Sequence, residues 1–228
     1  MDINTAIFLQ IFALILLLVS LLVVLATVIF KIRQVLTLKK PVDISPEKGS
    51  AIKGIIYAFT MGMLPWSKES TRRHILEYVR GIVFHLGIFT GLAFLFPSIW
   101  IDILSATVQI PLAVILGAGS IAGVAGITKR FLKPYPRALS NLDDFISPIL
   151  VTLFLLTALI FVLNPVTINP IYKVVFYITS SVMFFYSPFS KLYHCLYFFF
   201  SRTYFGTLLG RRGILNTETV LLKGKSNG

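Results

Sequence analysis

Cysteine is almost absent from this chain. Cys195 stands alone among 228 residues, so no internal disulfide and no all-cysteine zinc or iron–sulfur site can form within it. Charge is scarce as well: 13% of the residues are charged, where a soluble domain carries about a quarter. Acidic residues are fewest, 9 against 21 lysines and arginines. No glycine-rich phosphate loop and no Ser/His/Asp constellation stands out, which removes the common signatures of soluble enzymes. In their place, 56% of the residues are hydrophobic and mean hydropathy is +0.85. This composition selects an all-α integral membrane protein, read as a single membrane domain over 1–228. The net charge of +12 then signifies positive-inside bias, and no nucleic-acid partner is expected.

Five apolar segments are expected to cross the bilayer: 3–30, 77–96, 103–128, 144–163 and 170–188. A span needs about 20 apolar residues. The first is free of charge and lacks a basic start and a small-residue cleavage site, so it reads as a retained helix. Residues 54–66 are apolar but too short to cross, and they read as an interfacial segment with Trp66 at headgroup depth. Ser67-Lys-Glu-Ser-Thr and Ser140-Asn-Leu-Asp-Asp supply caps for the second and fourth spans. Pro41 and Pro46 mark a turn region, and Pro134 and Pro136 predict an irregular connection. Asn164-Pro165 ends the fourth span, Asn169-Pro170 opens the fifth, and a bend is expected near Pro188. Gly119 and Gly123 form a small-xxx-small pair suited to close helix packing. Every lysine and arginine except Lys173 falls after span one, after span three or beyond Pro188. The positive-inside rule therefore puts the N-terminus outside and the C-terminus in the cytoplasm, in a multi-pass protein of the cytoplasmic (inner) membrane.

Histidine is nearly as rare as cysteine: His74, His85 and His194. His85 lies inside the second apolar run, in Arg80-Gly-Ile-Val-Phe-His-Leu-Gly-Ile-Phe-Thr-Gly, where an imidazole is expensive without a partner or a task. His194 follows Pro188 at the end of the fifth. The expected topology puts both near the cytoplasmic edge of the bilayer. Two imidazoles on separate helices at similar depth suit the two axial faces of a haem iron, and such ligation favours electron transfer over oxygen chemistry. Four-ligand zinc fits poorly, because too few ligating side chains lie within the membrane. The plainer alternative is that each histidine hydrogen-bonds a neighbouring helix. His74 lies about three turns before His85, on the same face if the helix is continuous. Its neighbours Glu69, Arg72 and Arg73 suit a headgroup histidine, with a site role as the minority reading. Arg80, Lys191, Arg130 and Arg137 are the basic groups that could meet haem propionates; the alternative is that they simply obey the positive-inside rule, a reading at least as good for Arg130 and Arg137.

Phe84-His-Leu-Gly-Ile-Phe and Pro188-Phe-Ser-Lys-Leu-Tyr-His194 resemble the gamma subunit of respiratory nitrate reductase and its wider family of five-helix b-type cytochromes. Ser140-Asn-Leu-Asp-Asp-Phe is similar to the heterodisulfide-reductase-like branch, which includes membrane subunits of sulfate-reducer redox complexes. The resemblance covers nearly the whole chain. It implies haem b held by His85 and His194, and electron transfer between membrane quinone, as substrate, and an iron–sulfur subunit on the cytoplasmic face. The family's second histidine pair would fall at Leu95 and Phe176, so one haem is implied here rather than two. With one haem, a quinone site close to it would draw on His74, Glu77 and Lys68 for protons. The rival reading is a non-redox membrane protein, a transporter or an assembly or scaffold subunit. A transporter of the repeat type would show an internal repeat, and none is evident.

Overall fold

The computed structural model describes residues 2–39, 44–67, 69–101, 104–164 and 169–214. Lys68, Asp102, Pro41, Pro165 and the tail beyond 214 lie outside these. Among the described residues the secondary structure is entirely helical, with no strand. The helices are α1 (Ile3–Thr37), α2 (Ala51–Phe59), α3 (Glu69–Arg73), α4 (Ile75–Leu95), α5 (Ala106–Leu132), α6 (Pro134–Ala138), α7 (Asp143–Leu163), α8 (Ile171–Tyr186) and α9 (His194–Arg211). Four of them, α1, α4, α5 and α7, are long and apolar enough to cross a membrane. The protein is thus an all-α, multi-pass membrane protein. The fifth expected segment forms α8, which has 16 residues, so at about 1.5 Å per residue it is shorter than those four.

Two helices run past the apolar segments that announce them. The first was expected to end at residue 30 and continues to Thr37; the third was expected to end at 128 and continues to Leu132. The end of hydrophobicity marks where hydrocarbon would stop, while lysine and arginine are good helix formers and carry the backbone onward. What stops α5 is Pro134, after which α6 makes a short helical turn where an irregular connection was expected. The interfacial segment resolves into α2 followed by short 3-10 turns at Met61–Met63 and Pro65–Ser67. Trp66 is exposed.

The contacts divide the chain into two compact units. The first comprises Met1–Arg33 and Leu76–Tyr193. Its core is built from large apolar side chains: Leu17, Phe94, Leu116, Phe154, Leu155 and Phe176 are buried. Phe176 lies at the middle of a ring cluster, with centroids 6.1 Å from Phe94, 5.6 Å from Phe154 and 5.8 Å from Phe161. Ala13, Leu17 and Ser20 form a buried stripe along α1 at helical spacing, flanked by half-buried Leu9, Leu14 and Leu21, while Ile7, Phe8, Ile11, Phe12, Ile15 and Leu22 are exposed, as lipid contact requires. Gly87 and Gly119 let α4 and α5 touch: a Cβ on either would meet the other's Cα at 2.9 Å. Polar groups inside the helices are satisfied by backbone carbonyls, within one helix or across to the next. Ser180, for example, donates to Phe176 O at 2.7 Å, and Gln109 Nε2 donates to Val162 O at 2.7 Å.

The second unit comprises Gln34–Ile75 and His194–Gly228. Its frame is the pairing of α2 with α9, and the contact is made of glycine. Gly54, Gly206 and Gly210 are buried, and a Cβ on Gly54 would meet Gly210 Cα at 2.6 Å. Around this seam, Lys48 N and Gly49 N donate to Arg211 O at 2.8 and 3.1 Å, and Arg211 pairs with Glu47 at 2.5 Å. The rings of Phe59 and Phe198 close the other end edge to face. Helix α9 terminates in a left-handed glycine, Gly213 at φ 67°; its N–H returns to Gly210 O while Ile214 N–H reaches Leu209 O.

Candidate functional site

His85 sits on α4 in the first unit. It is exposed on the protein surface, on the opposite side of the helix from buried Phe94, two and a half turns on at about 3.6 residues per turn. Its Nδ1 lies 2.7 Å from the carbonyl oxygen of Gly81, one turn back. A carbonyl can only accept, so Nδ1 carries the proton and donates. In the neutral ring the lone pair is then on Nε2, the arrangement in which a histidine usually ligates a metal. Gly81 itself has open space where a Cβ would be, so the surface beside the ring is flat. The rings of Phe84 and Phe89 flank the imidazole at 6.2 and 6.4 Å.

His194 is not on the fifth apolar helix, as the sequence suggested. It opens α9, in the second unit, after two 3-10 turns at Ser187–Phe189 and Lys191–Tyr193. It is exposed there. The bend expected near Pro188 is therefore a complete break between α8 and α9. Beside it, Cys195 is an exposed residue, yet packing around its sulfur desolvates the thiol and pushes it above its ordinary pKa.

His74 also departs from expectation. It lies at the break between α3 and α4, where its N–H returns three residues to Thr71 O, so no continuous helix joins it to His85. It is exposed, belongs to the second unit, and follows the exposed Glu69–Arg73 ion pair of 2.5 Å. Glu77 is held by two cations: it accepts from Lys129 and, at 3.2 Å, from Arg80. Arg80 also donates to Ala122 O at 3.3 Å and lies against Gly126, where a side chain would collide with it. Arg137 is exposed on α6. Lys68 lies outside the described residues.

Arg130 and Lys191 meet in a cluster that sequence reasoning saw only as a helix cap. The Asp143 carboxylate accepts three hydrogen bonds, each at 2.6 Å, from the Tyr186 hydroxyl, the Ser147 hydroxyl and the backbone N–H of Lys191. Asp144 accepts from Lys191 Nζ at 2.7 Å and pairs with Arg130 at 3.6 Å. Asp144 and Asn141 also exchange backbone-to-side-chain bonds at 3.0 and 3.1 Å, which is a capping box. The two aspartates thus tie the segment between α8 and His194 to the start of α7. The available signal was their adjacency in a chain with so few acidic residues.

Among the described residues, no group of three or more His, Cys, Asp and Glu could hold a metal ion. Axial ligation of a haem needs only two side chains, and the donor geometry at His85 fits one of them. Leu95 and Phe176, where the second pair of a two-haem cytochrome would stand, are fully buried core side chains. Comparison with protein-family models, with curated proteins and with solved structures gives no match.

Proposed function

We propose that the chain is a single-haem b-type cytochrome, the membrane subunit of a redox complex. It would carry five spans in the cytoplasmic membrane, with α8 as the fifth, the N-terminus outside and the C-terminus in the cytoplasm. The observation that carries the reading is the His85 ring: an imidazole in an apolar helix, exposed at its surface, in the tautomer that donates from Nδ1 to Gly81 O. His85 and His194 would hold the haem, which when bound supplies one-electron transfer at an iron saturated by two imidazoles. The chain would exchange electrons between membrane quinone and an iron–sulfur subunit on the cytoplasmic face, since it has no cysteine set for a cluster. The packing of Leu95 and Phe176 favours one haem over two.

The basic groups divide by what already engages them. Arg80 is committed to Glu77 and Ala122 O, and Arg130 and Lys191 to Asp144, so a propionate near any of them would join an existing network rather than meet a solvated cation. Arg137 is exposed on α6. Glu77 is engaged by two cations, which suits it to orient Arg80 and Lys129 more than to take up a quinol proton.

The test is haem stoichiometry, by pyridine haemochrome against protein mass, on protein purified from haem-replete cells. The expected result is one haem per chain, lost in His85→Ala and in His194→Ala and kept in His74→Ala. A colourless wild-type protein, two haems per chain, or a full low-spin haem complement in either of the first two variants would overturn the assignment.

A further inference from the structure

We infer that the outer face of α5 and α7 is a binding site for one anionic phospholipid, with an acyl chain in an apolar groove and the headgroup phosphate on Lys129 and Lys133. The groove encloses about 670 Å³ and is lined along α5 by Gly117 and Ser120 and along α7 by Leu156 and Leu159. Its depth comes from what α5 lacks. A Cβ on Gly117 would find only Leu159 Cδ2, at 3.8 Å, so the floor is open where a larger residue would fill it. The lining is almost wholly apolar until the C-terminal end of α5, where Lys129 and Lys133 stand. Lys129 is in the last turn of α5 and Lys133 caps it, and both line the groove.

This polarity, hydrocarbon along the length and positive charge at one end only, matches a molecule built the same way. Glu77 neutralises part of the charge through Lys129, but it also serves Arg80, and Lys133 stands exposed at the end of α5, so that end remains cationic. A zwitterionic lipid would gain the groove, but its headgroup cation would offset much of what its phosphate gains at the lysines. Basic residues at the ends of membrane helices recognise anionic headgroups in this way. The site shares no ligand residue with the proposed haem and stands or falls without it.

Native mass spectrometry of the full-length protein, released from neutral detergent with equimolar phosphatidylglycerol and phosphatidylcholine, tests this. The wild type should retain one phosphatidylglycerol in preference to phosphatidylcholine. Lys133→Gln, at an exposed position, should lower that retention about fivefold and leave phosphatidylcholine unchanged. Gly117→Leu should reduce both lipids by filling the groove, with helicity and elution volume unaltered. Glycerol phosphate at matched concentration should not displace the lipid, because the acyl chain supplies part of the affinity. Equal retention of the two lipids, an unaffected Lys133→Gln variant, or displacement by glycerol phosphate would each overturn the proposal.

Discussion

Both compact units bring helices together through glycine, but they depend on it to different degrees. In the first unit the Gly87–Gly119 contact is one point within a core that also buries Leu17, Phe94, Leu116, Phe154, Leu155 and Phe176. In the second, the buried residues of α2 and α9 are Gly54, Ala58, Gly206 and Gly210, and the surrounding large side chains are mostly exposed or half-buried. Where bulky side chains share the load, flexible side chains beside a strained contact can shift to relieve it. Where backbone meets backbone, an added methyl has nowhere to go except by separating the helices.

The most damaging substitution should therefore be in the second unit. Gly206→Leu would force its side chain into Ile55, whose Cα lies 2.7 Å from the position of the new Cβ. A loss of about 3 kcal/mol or more is expected, since overpacking commonly costs 1–3 kcal/mol even where side chains can yield. Hydrogen exchange should report it as lost amide protection in α2 and α9, with the first unit unchanged. Equal deprotection of both units would erase the contrast drawn here.

Next comes Asp143→Ala, which strands the Tyr186 and Ser147 hydroxyls and the N–H of Lys191. About 2 kcal/mol should be lost, within the range for removing a hydrogen-bonded charge. Trypsin should then cut after Lys191 much faster than in the wild type; an unchanged rate would show that the segment is held by something else. A smaller effect belongs to Gly87→Ala, at about 1–2 kcal/mol by thermal unfolding in detergent, because the facing Gly119 Cα is 2.9 Å from the new methyl but the rest of the core stays packed. Its control is Gly81→Ala. No atom lies within 4 Å of that Cβ, so the change should be neutral or stabilising by up to about 1 kcal/mol through helix propensity. If Gly81→Ala destabilised as much as Gly87→Ala, the close contact would not be the cause. The smallest effect concerns Cys195. Desolvation raises its thiol pKa, so it stays protonated at neutral pH, and alkylation should be slower than for a free thiol at pH 7 and rise only in alkali.

The long apolar helices were legible because hydrophobicity and length are written directly in residues such as 3–30 and 144–163. Their true ends were not, because α5 runs through Lys129 and Arg130 until the approach to Pro134 stops it, and charge says nothing about backbone continuity. Helix α9 was missed entirely. Its residues show no apolar face to read, and its packing depends on Gly206 and Gly210, whose contribution is an absence of side chain. The histidines were found by their rarity, yet the breaks at His74 and before His194 depend on backbone turns and on the reach of Asp143, a contact between residues 48 positions apart. His85 was the most legible of the three, since a polar ring in an apolar run is conspicuous; its bond to Gly81 O needed coordinates.

The length of α1 has a mechanical consequence. Its uncharged stretch, 3–30, rises about 42 Å at 1.5 Å per residue, against a hydrocarbon thickness of about 30 Å. A surplus of that size is a positive hydrophobic mismatch, absorbed by tilting the helix or by stretching the nearby acyl chains. The rotation of α1 about its own axis is set, because the Ala13–Leu17–Ser20 stripe fixes which side of it faces the core. A thinner bilayer therefore acts on this protein first at α1, by leaning the helix or by stretching the lipid beside it, with the buried stripe kept on the core.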